Sequence, residues 1–170
     1  MPETTTATAP AGETLAALDR SWFGAALAPD TQVRLAELAT VMRLPANGIL
    51  FAEGEPCRTF AIVLSGRVAL RMLVPERGNV TILTVETGDV LGWSALVPPH
   101  RSTATAVAVE PVALLAFDAE RLRERLRTDH SLAASLYPRV LQAASRRLTA
   151  TRLQLLDLFA SRQPNEVAPW

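Results

Sequence analysis

Residues 60–92 read FAIVLSGRVALRMLVPERGNVTILTVETGDVLG, and this stretch decides the fold. Short apolar runs alternate with turn residues, which are Ser65, Gly66, Pro75, Asn79, Gly88 and Asp89. The predicted strands are residues 61–64, 67–74 and 80–85, followed by a last pair at 103–109 and 112–117. Many short strands with regularly spaced turns are typical of an antiparallel sandwich or barrel.

Helical patterns flank these strands on both sides. Residues 15–42 predict two helices, the second starting near Asp30 and carrying Leu35, Leu38 and Met42. After the strands, Asp118 is expected to cap a helix that ends near residue 127, and Pro138 to begin a last helix over 139–159. The fold class is therefore α+β: an antiparallel β-roll (a double-stranded β-helix or jelly roll) with N-terminal helices and two C-terminal helices. We expect a disordered leader at 1–14, one domain at 15–159 and a flexible tail at 160–170.

Composition excludes several classes of partner. The 17 basic residues balance the 17 acidic ones, and every basic residue is arginine. A net charge of zero gives no general attraction to nucleic acid or to a membrane surface, and no apolar run is long enough to span a bilayer. The single cysteine, Cys57, cannot form an internal disulfide, which favours a cytoplasmic location.

Residues 88–105, GDVLGWSALVPPHRSTAT, carry the candidate site. A glycine-led helical turn over 92–96 would direct unpaired amide groups of partial positive charge outwards, and Arg101 could grip a phosphate with two donors. The predicted ligand-binding residues are Gly92, Trp93, Ser94, Ala95, Arg101, Ser102 and Thr103. Of these, Gly92, Ser94 and Ala95 are expected to offer amides, and Ser102 and Thr103 hydroxyls.

The sequence gives little support for an enzyme. Its two histidines, His100 and His130, do not lie at metal-ligand spacing, so no metal site is predicted. Ser94 and Ser102 have no nearby His-Asp pair that would activate them. A non-enzymatic protein is therefore expected, and a small cupin-like enzyme stays as an alternative.

Three separated motifs carry a resemblance to a known family. They are FAEGE at 51–55, FAIVLSGRV at 60–68 and GDVLG at 88–92. In order and distance they resemble the cyclic-nucleotide-binding domain of the bacterial catabolite-activator and oxygen-regulator families, over residues 30–159. The resemblance implies tight turns of unusual φ at Gly54, Gly66, Gly88 and Gly92. The 11 residues after Phe159 are too few for the helix-turn-helix domain of those regulators, so we expect a stand-alone form without direct DNA binding.

The resemblance implies cyclic AMP or cyclic GMP as the ligand and no other cofactor. In the family's phosphate cassette a glutamate binds the ribose 2′-hydroxyl and an arginine binds the cyclic phosphate. Here Trp93 stands at the glutamate position, and Arg101 lies one residue early relative to Ala104. Losing a charge-assisted hydrogen bond costs roughly 1.5–3 kcal/mol, or about tenfold to a hundredfold in affinity. Two hypotheses stay open: a site that binds a phosphate-bearing ligand, and a degenerate domain that serves as a protein-interaction or assembly module.

The last helix carries a candidate dimer seam. Leu141, Ala144, Leu148, Thr151, Leu155 and Leu158 follow alternating spacings of three and four. This pattern is typical of a coiled coil and predicts a homodimer, with Val140, Leu153 and Leu156 packing against the roll instead. Arg146, Arg147 and Arg152 are interpreted as a solvated face.

The expected mechanism is regulatory. Ligand at the cassette would shift the last two helices, and an unknown downstream protein would read the change. The GWSAL and double-proline form resembles small stand-alone bacterial proteins with this domain. The resemblance, and not these residues themselves, implies an operon partner such as a hydrogenase.

Overall fold

The structure, a computed structural model, describes residues 5–7 and 10–160, with the backbone alone at residues 155 and 157–160. The elements follow in this order: β1 (Thr5–Ala7), α1 (Ala11–Arg20), α2 (Pro29–Ala36), β2 (Ala39–Leu44), β3 (Ile49–Phe51), β4 (Thr59–Ser65), β5 (Val68–Val74), β6 (Gly78–Val85), β7 (Val90–Leu91), a 3₁₀ turn (Trp93–Ala95), β8 (Thr105–Ala108), β9 (Val112–Asp118), α3 (Ala119–Thr128) and α4 (His130–Ala160).

The strands form two antiparallel sheets. The five-stranded sheet has the order β1-β2-β9-β4-β7, and the four-stranded sheet has the order β3-β8-β5-β6. Strand β9 joins distant parts of the chain, because it pairs with β2 on one side and with β4 on the other. The α+β class and the β-roll with flanking helices are confirmed, and each predicted strand is present with ends that differ by one or two residues.

The five-stranded sheet separates two hydrophobic clusters. In β4, Ala61 and Val63 face the other sheet, whereas Phe60 and Ile62 face the helices. This division follows from the alternation of side chains along a strand, which sends neighbouring residues to opposite faces. The helix-facing cluster is completed by residues that include Phe23, Phe117, Leu132 and Leu136, so the helices are held to the roll by buried apolar packing.

The prediction of helix through residue 42 is wrong. Helix α2 ends at Ala36, and Ala39–Leu44 forms β2, which pairs along its whole length with β9. Thr40 and Val41 are β-branched, and strand pairing buries both Ala39 and Leu44 at the ends of β2. Tertiary pairing therefore overrides the helical spacing of Leu35, Leu38 and Met42.

The prediction that Pro138 begins the last helix is also wrong. Helix α4 begins at His130, and Pro138 lies inside it. Leu132, Leu136, Val140 and Ala143 are all buried on one face, and their packing offsets the missing proline N–H. The start is fixed by Asp129, whose Oδ1 accepts a hydrogen bond from the Leu132 backbone N–H at 2.9 Å. The expected cap of α3 is confirmed, because Asp118 accepts the Arg121 N–H in the same way.

The ends of the domain differ from the predicted boundaries. Strand β1 and the first turn of α1 lie inside the range predicted as a leader, since β1 pairs with β2 and α1 begins at Ala11. The predicted tail lies outside the described residues, except for Ala160. The four predicted turn glycines all have positive φ, as the resemblance implied.

Candidate functional site

The predicted cassette begins with a glycine that no other residue could replace without strain. Gly92 has φ 69° and precedes the 3₁₀ turn of Trp93–Ala95. A Cβ at this position would lie 2.1 Å from the carbonyl oxygen of Thr59, in β4. The absence of a side chain therefore lets the turn pack directly against the sheet, beside the buried thiol of Cys57.

Most of the predicted ligand-binding residues surround one small cavity, which we call the cassette cavity. Its volume is about 20 Å³. Its lining residues are Phe51, Leu70, Gly92, Trp93, Ser94, Ser102, Thr103, Ala104 and Arg147. This volume is enough for about one water molecule and far below the several hundred Å³ of a ligand pocket. The cassette is therefore assembled, but the space beside it is too small for a nucleotide.

Two buried hydroxyl groups lie at the cassette cavity. Ser94 is 7% exposed and Ser102 is 4% exposed, whereas Thr103 lies at the exposed rim. Ser102 Oγ has no hydrogen-bond partner among the described residues. Because a buried hydroxyl is normally paired, Ser102 marks the part of the cavity where a polar ligand atom would be most favourable.

Arg101 and Ala95 do not contribute to the cassette cavity as predicted. Arg101 is exposed, and its Nη1 donates to the carbonyl oxygen of Gly54 at 2.7 Å. The amide of Ala95 donates to the carbonyl oxygen of Gly92 within the 3₁₀ turn, so it is not free for a ligand. The 3₁₀ turn satisfies the Ala95 N–H itself, and the Arg101 guanidinium is bonded to the turn that contains Gly54.

Trp93 closes one side of the cassette cavity. Its side chain is half-buried and packs against the helix-facing core cluster. The Trp93 indole is therefore partly buried against the core and partly exposed to solvent. A ligand with a ribose-sized group would need the indole to move.

An arginine of α4 lies at the cassette cavity, and Arg101 does not. Arg147 lines the cassette cavity, and its Nη2 donates to the carbonyl oxygen of Val90 at 2.9 Å. Burial lowers the pKa of Arg147, and the nearby charge of Asp89 acts in the opposite direction. The prediction of a solvated face is wrong for this residue. The sequence did carry a signal for the position of Arg147. It follows Val140 and Ala143 at spacings of three and four, which places all three on the buried face of α4.

Arg147 also borders a second, larger space, which we call the helix cavity. Its volume is about 230 Å³. Its lining residues are Trp22, Leu83, Thr84, Val85, Asp89, Val90, Ala143, Arg146, Arg147 and Ala150. The two cavities lie between the roll and α4, and Arg147 stands at both.

The wall of the helix cavity is tied to α4 by Trp22. The Trp22 indole Nε1 donates to Asp89 Oδ1 at 2.8 Å. The guanidinium carbons of Arg139 and Arg146 lie 5.0 and 4.4 Å from the centre of the same ring. Arg139 also donates to the carbonyl oxygens of Trp22 and Phe23. The segment after α1, the turn before β7 and α4 therefore meet at one aromatic ring.

The structure also places the residue types that could hold a metal ion, including the two histidines. Among the described residues, no group of three or more His, Cys, Asp and Glu side chains could hold a metal ion. His100 lies in the loop before Arg101, and its Nδ1 is buried without a partner in the described part of the chain. His130 is exposed at the start of α4, far along the chain from the cassette.

Comparison with known proteins identifies the family. The sequence profile of the cyclic nucleotide-binding domain matches residues 41–129, which is more than half of the chain. This chain belongs to the cyclic nucleotide-binding domain family. The match runs from β2 through the cassette to the end of α3, and the predicted family and its β-roll are thereby confirmed.

Two curated proteins show how widely this domain is used. A CRP-like cAMP-activated global transcriptional regulator of Mycobacterium tuberculosis is 29% identical over 125 residues, which is 73% of this chain and 54% of the regulator. Acetyltransferase Pat of Mycolicibacterium smegmatis is 34% identical over 98 residues, which is 58% of this chain and 28% of that protein. The chain thus spans about half the length of the regulator that it matches. The expected stand-alone form, lack of direct DNA binding and hydrogenase partner stay predictions.

A solved structure extends the likeness to the whole fold. The cyclic nucleotide-binding domain of Methylobacillus flagellatus superimposes with a TM-score of 0.79 over 98% of this chain and 93% of the other, at 19% identity. At this identity the likeness concerns the fold alone. None of the helices in the described part of this cyclic nucleotide-binding domain is long and apolar enough to cross a membrane.

Proposed function

We propose that this chain is a non-enzymatic regulatory domain that binds a cyclic nucleotide, or another small phosphate-bearing molecule, between the cassette and α4. The ligand class is supported by the family and by the printed description of the mycobacterial regulator as cAMP-activated. The observation that carries the proposal is Arg147, which belongs to α4 and lines both the cassette cavity and the helix cavity. Any ligand that enters this space must therefore contact α4.

The small volume of the cassette cavity gives the proposal a regulatory mechanism. A space of about 20 Å³ cannot admit a nucleotide unless Trp93, Arg147 or α4 moves. Where the space opens by movement of α4, a ligand would favour an arrangement of this helix that differs from the one in this structure. Such a difference in affinity between two arrangements is what couples a binding site to a distant surface.

The surface that would carry the signal is the outer face of α4. Leu141 is 71% exposed and Leu148 is 52% exposed, whereas Ala144 and Thr151 are partly buried. Leu155 and Leu158 lie outside the described side chains. Leu153 and Leu156 are 57% and 63% exposed, so the expectation that they pack against the roll is wrong. We propose that the seam face of α4, which carries Leu141 and Leu148, pairs with the same face of a second copy in a homodimer. A downstream protein would then respond to the position of α4.

The second candidate function is a docking module that binds no nucleotide. The small cassette cavity and the Trp93 side chain at its wall favour this alternative. We propose a cytoplasmic location for either function, because Cys57 is a free, buried thiol and thiols stay reduced in the cytoplasm.

Isothermal titration calorimetry separates the two functions. Cyclic AMP and cyclic GMP are titrated separately into the full chain, up to millimolar concentration. Saturable heat with either nucleotide supports the regulatory domain. No heat with either, together with unchanged tryptophan emission, overturns cyclic nucleotide binding and supports the docking module.

A further inference from the structure

A cavity of about 360 Å³ lies between α1 and the five-stranded sheet, and we call it the α1 cavity. Its volume is within the range of small-ligand pockets. None of its described lining residues borders the cassette cavity or the helix cavity. The α1 cavity is therefore a separate candidate for a ligand, and the proposed function does not use it.

The floor of the α1 cavity is apolar and incompletely covered. Leu115 of β9 is fully buried in the helix-facing cluster, and Val41 of β2 and Leu64 of β4 pack against that cluster. Val41 and Leu64 stay only half-buried, although β2 and β4 each have a neighbouring strand on both sides. Helix α1 therefore leaves part of their surface uncovered, and an apolar group that covers it would be stabilised there.

An irregularity in β4 coincides with this floor. In the pairing of β4 with β9, Val63 opposes Leu114 and Ser65 opposes Ala113, so Leu64 has no opposite residue. Bulges of this kind change the direction of a side chain and are frequent next to functional sites. The bulged residue is the one that β4 contributes to the lining of the α1 cavity.

The rim of the α1 cavity carries a surplus of positive charge. Its described charged residues are Arg20 of α1, Arg43 of β2 and Glu13 of α1, and all three are exposed. No ion pair joins any of them to another described residue. Arg20 also lines a neighbouring cavity of about 330 Å³, which has no acidic residue in its described lining. A single negative charge on a ligand would balance this rim.

We propose that the α1 cavity binds a small amphipathic anion, namely a free alkyl carboxylate of medium chain length. The carboxylate would accept hydrogen bonds from Arg20 and Arg43, and the alkyl chain would cover Val41 and Leu64. A guanidinium suits a carboxylate because its donors are arranged in a fixed fork. An uncharged apolar molecule would leave both arginines without a partner, and a small polar anion would leave the apolar floor uncovered.

Calorimetry of the full chain with three probes tests the chemistry of the α1 cavity. Octanoate carries both the chain and the charge, octan-1-ol carries the chain alone, and acetate carries the charge alone. We expect saturable heat with octanoate, binding of octan-1-ol that is weaker by at least about tenfold, and no heat with acetate. Octan-1-ol that binds as tightly as octanoate would overturn the anion site. Absence of heat with octanoate would overturn the whole inference.

Two pairs of variants locate the site. Arg20→Gln should weaken octanoate binding by about threefold to tenfold, whereas Arg77→Gln, at an exposed arginine between β5 and β6, should leave it unchanged. Ala16→Trp would fill the α1 cavity from an exposed position of α1 and should abolish octanoate binding. Its control is Ala134→Trp, at an exposed position of α4 outside the cavity lining. Octanoate binding that survives both Arg20→Gln and Ala16→Trp would overturn the assignment, and Arg20→Gln alone decides if the larger substitution unfolds the chain.

Vesicles distinguish a free carboxylate from a membrane surface. Sedimentation of the wild type with phosphatidylglycerol vesicles offers the same combination of negative charge and alkyl chains in a bilayer. Binding to vesicles without binding to octanoate would overturn the inference in favour of a membrane. A wild type that binds octanoate but neither cyclic nucleotide would support this inference and overturn cyclic nucleotide binding alone.

Discussion

The indole Nε1 of Trp22 donates a hydrogen bond of 2.8 Å to Asp89 Oδ1, across 67 residues of sequence. This contact joins the segment after α1 to the turn that leads into β7. Arg139 and Arg146 of α4 both lie over the same indole, so Trp22 also holds α4 against the edge of the helix cavity. The position of α4 therefore depends on a residue that lies outside the matched family region of 41–129.

Replacement of Trp22 tests this connection. Trp22→Phe keeps an aromatic ring but removes the donor to a carboxylate, and we expect a loss of about 1.5–3 kcal/mol in the free energy of unfolding. Urea denaturation of Trp22→Phe, Asp89→Asn and the double variant measures the coupling between the two side chains. Strictly additive effects of the two substitutions would show that the contact contributes nothing to stability.

Gly92 is predicted to be the glycine of the cassette that tolerates substitution least. Gly92→Ala places a methyl group 2.1 Å from the Thr59 carbonyl oxygen in a left-handed conformation, so we expect destabilisation of more than about 3 kcal/mol. Gly54→Ala is the control, since its φ is also positive but no atom lies within 4 Å of the added carbon. It should cost only about 1–2 kcal/mol. Equal denaturant midpoints for the two variants would contradict the close approach at Gly92.

The junction of α3 and α4 should be sensitive to acid. The pKa of Asp129 lies below its ordinary value because its carboxylate accepts the Leu132 backbone N–H, and the charges of Arg34 and Arg125 add to this effect while burial opposes it. A carboxyl group with a lowered pKa contributes stability above its unfolded pKa of about 3.9, and this contribution disappears as the pH falls through the folded pKa. Denaturation measured between about pH 5 and pH 2 should therefore show a smaller loss of stability in Asp129→Asn than in the wild type. The same pH dependence in both proteins would show that protonation of Asp129 does not contribute to the loss of stability in acid.

The dimer proposal predicts a change in mass. Leu148 is 52% exposed on the outer face of α4, and Leu148→Arg would place a charge in the proposed seam. Light scattering should report a dimer for the wild type and a monomer for this variant. Val33→Arg, on α2, is the control, because Val33 is also a large exposed apolar residue and should leave the dimer intact. A monomeric wild type would rule out the seam.

The strands of the roll could be predicted because their signals are local. Residues 60–92 carry short apolar runs separated by turn glycines, so the pattern reports the structure directly. Residues 39–44 could not be predicted as a strand, because their partners in β9 lie 68 to 78 residues away in the sequence. The same limit applies to Pro138, whose tolerance depends on the buried packing of Leu136 and Val140.

The candidate site likewise combines residues that could be predicted from local sequence with one that could not. Gly92, Ser94 and Ser102 were predicted from one continuous stretch, and the structure brings them to one cavity. Arg101 was predicted to bind the ligand because it is an arginine. The sequence does not show that its guanidinium is bonded to the Gly54 carbonyl oxygen on the exposed side. Arg147 comes from a different element, so its place at the cassette depends on how α4 packs across the roll.

Amide hydrogen exchange of α4 tests the coupling of the ligand site to this helix most directly. Exchange is followed by mass spectrometry over residues 139–151, with and without millimolar cyclic AMP. The account predicts that the nucleotide changes the protection of this segment together with that of residues 92–104, since Arg147 connects them. Protection of residues 92–104 that changes while α4 exchanges at the same rate would contradict it.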